Sequence, residues 1–353
     1  MTHRQFVRSS TTVFVAAAFA FASLPAAAAL AHGDASKGVV SSNSHHDGHD
    51  GHDICARPAR LLASGLSGGS GSTIGPDGAL YVTEGAAGEV SRIDRSTGAV
   101  TVVASGLPAS IVGIGGAMDV AFLEGRLYVL VTLVAADVGG SSVVGIYRVD
   151  TPTTFTVIAD IGAWAMDNPP LTDFMIPSGV QYAIQAYHGG FLVTDGHHNR
   201  LLRVTLDGDV TAAATFGNIV PTGLALRGNT IFMAEAGPVP HLPENGRIVA
   251  ISPETSVATQ VAAGGRLLVD VEFGPGNRLY ALAQGVFPVG NPPGSPAMPN
   301  TGQLLSVNRD GTFHVLVSGL DRPTSLEIRG DKAYVVTLPG NVWSIELSRR
   351  CST

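Results

Sequence analysis

Six short apolar strands recur along this chain, each directly after a Gly-containing turn: Leu80-Tyr81-Val82, Leu127-Tyr128-Val129, Phe191-Leu192-Val193, Ile231-Phe232-Met233, Leu279-Tyr280-Ala281 and Ala333-Tyr334-Val335. Their starts lie between 40 and 64 residues apart. Glycine, Asn and Asp in the preceding turns tolerate positive φ and favour tight hairpins. An alternating apolar strand precedes each turn, as in Pro221–Leu226 and Pro323–Ile328, and two more follow, as in Val90–Ile93 and Val100–Ala104. The unit is a four-stranded antiparallel meander, and a meander repeated about every 50 residues predicts a β-propeller. A large sandwich would not reproduce the same strand order six times.

The strand count predicts how the ring closes. The last unit supplies three strands, Thr324–Ile328, Ala333–Thr337 and Val342–Leu347, whereas Arg60–Ala63 precedes the first unit without a partner. The N-terminal strand is therefore expected to complete the sixth blade, which removes an exposed edge. Cys55 lies four residues before Ala59 and Cys351 four after Leu347, at adjoining ends of two antiparallel neighbours. A disulfide there would staple the closure; the alternative is two free thiols.

The segment before the ring reads differently. Residues 1–31 carry Arg4 and Arg8, an apolar run from Val13 to Leu24, then Pro25 and small residues ending at Ala31, the pattern of a secretory signal peptide cleaved near Ala31. The run is too short for a membrane span, which takes about 20 residues, so the expectation is a secreted or periplasmic protein. Residues 32–54 follow as a disordered tract in which His32, His45, His46, His49 and His52 alternate with Asp and Gly. It is either a solvated linker or a trap for Zn, Cu or Ni held by His45, His46, His49 and His52. The propeller occupies 55–353. With 21 Lys+Arg against 28 Asp+Glu, and only Lys37 and Lys332 as lysines, no basic stripe exists and nucleic acid is excluded as a partner. Gly and Pro, 44 and 21 residues, follow no triplet period, which excludes collagen.

The residues also carry a resemblance. Val193–Leu201 is similar to an NHL repeat, and the stretches GPDGALYVTE (75–84), VPTGLAL (220–226), VDVEFGPGNRLYAL (269–282) and DGTFHVLVSGLDRPTSL (310–326) resemble the ScyD/ScyE family of exported propellers. That resemblance implies an exported ring of a family named after proteins encoded with a sunscreen-pigment pathway, with no established common activity. A more distant likeness is to gluconolactonase-type and strictosidine-synthase-type propellers. The former implies a divalent cation in the central channel, Ca or Zn here, held by a first-blade Glu and later Asn and Asp. This chain departs from that pattern: Gly69–Ile74 contains no Glu, and Ser178-Gly179 and Thr222-Gly223 stand where Asn-Gly would.

In a meander blade, two kinds of connection lie on one face and two on the other. One set is uniformly short, whereas the other holds every insertion: Leu107–Gly116, Thr132–Ser142, Ile161–Ser178, Glu235–Gly246 and Gln284–Gly302. Long loops in a compact domain are usually functional, so this face is expected to bind a small molecule or a protein. Trp164, Met166, Phe174, Phe287 and Met298 either cover a pocket there or pack the loops onto the ring. Glu235, Asp195 and Trp164 are ligand-binding candidates, although Asp195, Asn199 and Arg200, at the NHL motif positions, are better suited to tying their loop together by side-chain to backbone hydrogen bonds than to binding a ligand. His197, His198, His241 and Glu244 are candidates for a Zn or Cu site, with His197 and His241 the leading pair. Asp119 and Asp270 precede Val120-Ala121-Phe122 and Val271-Glu272-Phe273 where blades three and four are aligned on Gly179 and Gly223. In diametrically opposed blades, they either flank a cation or polar ligand across the channel or cap backbone amides. No nucleophile elbow, phosphate-cradling loop or zinc-protease motif is present. The leading expectation is binding without catalysis, and the alternative is a metal-dependent lactonase or related hydrolase using the channel.

Overall fold

The computed structural model describes residues 55–348, in which six antiparallel sheets follow one another as blades of a ring. Blades one to five are four-stranded and span 69–105, 116–160, 181–215, 221–263 and 268–320. The sixth combines Pro323–Arg329, Lys332–Thr337 and Val342–Ser348 with two N-terminal strands, Cys55–Ala56 and Arg60–Ala63, both paired antiparallel to Val342–Ser348. The expected six-bladed β-propeller, closed by its N-terminal strand, is thus the observed fold. Residues 1–54, with the leader and the His tract, and Cys351 lie outside the described residues. Cys55 sits opposite Ser348 in the closing register, three positions before Cys351.

The alternation read from the sequence acquires its reason here. Side chains leave a strand to opposite sides, and each blade is sandwiched between two neighbours, so both sides are apolar. Thr230–Glu235 and Gly190–Asp195 are buried along almost their whole length. Among the described residues the buried side chains fall into six clusters, one per blade junction. Tyr128, Leu130 and Ile146 pack on Phe191, Val193 and Leu202 between blades two and three, and Tyr334 and Val342 pack on Leu80 and Val82 where the ring closes. The turns match: Glu124-Gly125 and His188-Gly189 both have positive φ at both positions, as a type I′ hairpin requires.

Hydrogen bonds from side chains stitch each blade to the next around the channel. Thr83 Oγ1 donates to the Met118 carbonyl at 3.0 Å, Thr194 to Thr222 at 2.7 Å, Thr222 to Leu268 at 2.9 Å and Thr324 to Gly69 at 3.0 Å. Thr132 Oγ1 donates to Gln181 Oε1 at 2.9 Å and accepts from the Gln181 amide at 3.1 Å. One loop departs from the expected plain connections. Ile161–Asp167 is a short α-helix, its N-cap Asp160 accepting from the Ala163 amide at 2.8 Å. All six innermost strands carry a bulge at the same level, in blade three between Gln181 and Ile184, and this shared register makes Ala183, and not Gly179, which precedes the strand, the structural counterpart of Asp119 and Asp270.

Space at the stitches is tight. A Cβ added to Gly71 would lie 2.6 Å from Asp119 Cα, and one added to Gly223 would lie 2.5 Å from Asp270 Cα, both inside contact distance. Gly223→Ala is expected to destabilise the ring by about 1–3 kcal/mol, the usual range for overpacking. Chemical denaturation checks this, with Gly217→Ala, which meets no atom within 4 Å and has no positive φ, as the backbone control.

Candidate functional site

The register of each innermost strand with its neighbour defines equivalent positions around the channel. Asp119 faces Leu130, Asp270 faces Leu282, Ile184 faces Val193, Leu224 faces Met233 and Ser325 faces Val336. One level of the channel is accordingly Gly71, Asp119, Ala183, Gly223, Asp270 and Ser325. The level above it is Ser70, Met118, Tyr182, Thr222, Val269 and Thr324. Only one of these twelve is aromatic, and Tyr182 reaches across the ring from blade three to blade six, where its hydroxyl donates to the Thr324 carbonyl at 3.1 Å. Tyr182 divides the axis into two chambers and lines both.

The chamber below is a narrow acidic channel of about 140 Å³ lined by Asp119, Asp270, Glu272 and Glu327, with no Lys, Arg or His among its lining residues. Asp119 Oδ1 accepts from the amide of Val120 and Oδ2 from that of Ile184 in the next blade, both at 2.8 Å. Asp270 repeats this, with Oδ1 on Val271 at 2.9 Å and Oδ2 on Leu326 in blade six at 2.7 Å. Both carboxylates therefore cap amides and clasp two blades. Burial raises Asp119 well above the carboxylate range, with a smaller push from Asp270, and raises Asp270 to about 7. Burial, followed by neighbouring carboxylates, also raises Glu272 and Glu327 well above their ordinary value. Among the described residues no three His, Cys, Asp or Glu side chains are grouped to hold a metal ion, and at the positions of the gluconolactonase pattern Gly69–Ile74 has no Glu and Ser178-Gly179 and Thr222-Gly223 have no Asn, so the residues there do not fit its divalent ion.

The chamber above lies on the insertion-bearing face. It has a volume of about 460 Å³, and its walls include Ile114, Leu133, Val180, Val220, Val239 and Leu267. The size and largely apolar lining are those of a small-molecule site. Exposed apolar side chains continue from its rim, among them Met175 and Val239, which also line it.

The structure separates the candidates read from the sequence. His197 and His241 line the upper chamber. His197 Nε2 accepts from the amides of Met175 at 2.8 Å and Ile176 at 3.1 Å. His241 Nδ1 faces the Gly237 carbonyl at 2.7 Å, and its ring packs edge-on against buried Phe287. Asp195 lines neither chamber. It is fully buried and holds its loop together, accepting from the amides of Val180 and His198 at 3.0 and 3.1 Å and lying 3.3 Å from Arg200 Nε. Burial would raise its pKa, but His198 and Arg200 hold it below the ordinary value. Trp164, on the short helix, packs its ring against the Arg200 guanidinium, 4.6 Å from centroid to Cζ. Glu235 is buried opposite Arg247, and burial raises it to about 7 against the pull of that arginine. Tyr182, Glu272 and Glu327 were not singled out in the sequence. A lone Tyr where the equivalent positions hold Ser, Thr, Val or Met is the available signal, hidden when blade three is aligned on Gly179 instead of Ala183.

No family model matches the sequence, and no curated protein matches it. Solved structures do. A PQQ-bound aldose sugar dehydrogenase from Streptomyces coelicolor has a TM-score of 0.57 at 15% identity, covering 84% of this chain and 99% of that one. A gluconolactonase from Xanthomonas campestris has a TM-score of 0.57 at 12% identity over 83% of this chain and 90% of that one. Virginiamycin B lyase from Staphylococcus aureus has a TM-score of 0.52 at 14% identity over 83% and 99%. At such identities the likeness establishes the fold, and this chain is a six-bladed β-propeller.

The acidic channel makes stability depend on pH. Its four carboxyls bind protons more readily in the folded chain than in the unfolded one. Their contribution to stability is complete below the ordinary carboxylate range near 4 and is lost as pH rises through about 7, the value reached by Asp270. Glu327→Gln removes one unpaired acid. It is expected to raise Tm at about pH 8 by roughly 2–4 °C and to change it little at about pH 5. Thermal unfolding across that range checks the sign.

Proposed function

We propose that this propeller binds a small, largely apolar molecule in the upper chamber, without catalysis of its own. The observation that carries the reading is the chamber itself: an apolar space of about 460 Å³, floored by Tyr182 and walled by loops from several blades. The ScyD/ScyE resemblance supports an exported propeller of that type. The lactonase reading draws support from the gluconolactonase fold likeness but not from the residues at that pattern's positions, where Gly69–Ile74 supplies no Glu and Thr222-Gly223 no Asn.

The test uses N-phenyl-naphthylamine, an apolar fluorophore that brightens in apolar surroundings. Saturable uptake of one molecule per chain is expected. Ile114→Trp, which fills the chamber from a loop without touching the blade cores, is expected to weaken uptake about tenfold, or about 1.4 kcal/mol. Uptake unchanged by Ile114→Trp would place the binding elsewhere.

Export and stapled closure belong to the same proposal. Peptide mapping under non-reducing conditions is expected to recover Cys55 joined to Cys351 in protein collected outside the cytoplasm. Recovery of both thiols free would refute the staple.

A further inference from the structure

The upper chamber holds more polar atoms than a ligand can use, because most are already engaged by the protein. Tyr182 and Thr324 donate to backbone carbonyls, as do Thr222 and Ser110. Asn199 Oδ1 accepts from the amides of Ile219 and Val220 at 3.0 and 2.9 Å. Gln284 Oε1 accepts from the Ala297 amide at 2.9 Å. The two histidines are different. With Nδ1 facing two carbonyls, those of Gly237 and Ala236, His241 must carry its proton on Nδ1, which leaves Nε2 as a bare acceptor with no partner in the protein. The residue is only 6% exposed and lines the chamber. His197 is the mirror case. Two amides donate to its Nε2, so in the neutral ring the proton sits on Nδ1.

Charge narrows the class further. No Lys or Arg lines the chamber. Burial pushes His197 and His241 below their ordinary pKa, so neither supplies a positive charge at neutral pH. Beneath the Tyr182 floor lie the four channel carboxyls. A buried anion without a counter-charge is strongly disfavoured. An isolated cation would lose its hydration against apolar walls, with Asp173 at the exposed rim as the one lining carboxylate.

We infer that the ligand of this chamber is an uncharged, largely apolar molecule bearing an O–H or N–H group, an alcohol, phenol or amide, which donates to Nε2 of His241. The inference rests on the upper chamber being the binding site. His241 selects for the donor and is not a catalytic residue.

Three probes of matched shape test it on the whole protein: naphthylmethanol, its methyl ether, and naphthoate, titrated by displacement of N-phenyl-naphthylamine. The alcohol is expected to bind about tenfold more tightly than either of the others. His241→Asn tolerates the positive φ of 57° at this position and can still donate to the Gly237 carbonyl. It is expected to erase the preference for alcohol over ether. Nitrogen NMR of the wild-type imidazole supplies an independent readout, since the Nε2 resonance should move with the alcohol and stay fixed with the ether. Equal binding of alcohol and ether, tighter binding of naphthoate, or a preference that survives His241→Asn would overturn the inference while leaving the chamber as the site. Failure of all three probes and of the fluorophore to bind would overturn both.

Discussion

Around the channel, where the six blades come closest, side-chain oxygens of one blade are held by the backbone of the next. Thr83, Thr194, Thr222 and Thr324 each donate to a carbonyl across a junction, and Asp119 and Asp270 each take an amide from the following blade. These bonds fix the stagger of neighbouring sheets, which apolar packing alone leaves loose, because dispersion and hydrophobic contact have little direction. Gly71 and Gly223 follow from the same constraint, since each stands where the next blade's aspartate backbone passes.

Once the stagger is set, the axis has defined levels, and their chemistry differs sharply. The lower channel gathers carboxyls with no Lys, Arg or His side chain among them, and burial keeps them protonated at higher pH than usual. The level above is small or apolar except for Tyr182, which bars the channel. A polar, proton-holding space is thereby separated from an apolar one by a single side chain, and the loops above enclose the apolar space. Inside it, hydrogen bonds to backbone fix the tautomers of His197 and His241, with Nε2 of His241 left as a buried acceptor and Nδ1–H of His197 as a donor.

Several readings from the sequence describe the chain well because they rest on local rules. The second strands are buried on both sides and read as apolar runs, and their turns contain residues that accept positive φ. The closing strand was visible because strand counting is arithmetic. Asp119 and Asp270 were also visible as a pair, although their second amide partners, in other blades, were not. Asp195 and Arg200 stood out as charged residues in a motif, yet burial makes them each other's partners. The helix Ile161–Asp167 escaped notice because seven residues give too short a period to distinguish from a loop.

What the sequence by itself determined is the ring: repeat number, strand order, closure, and the face that carries the insertions, all consequences of alternation and turn chemistry within about 50 residues. The tertiary structure alone decided which side chains share a level of the channel. Each innermost strand passes through a one-residue bulge at this level, and in blade three the level falls at Ala183, with Tyr182 directly before it, four residues beyond the Gly179 on which sequence alignment would set it. A side chain's direction reverses with every residue of a strand, so the identity of the chamber floor hung on a register that only packing and inter-blade hydrogen bonds could settle.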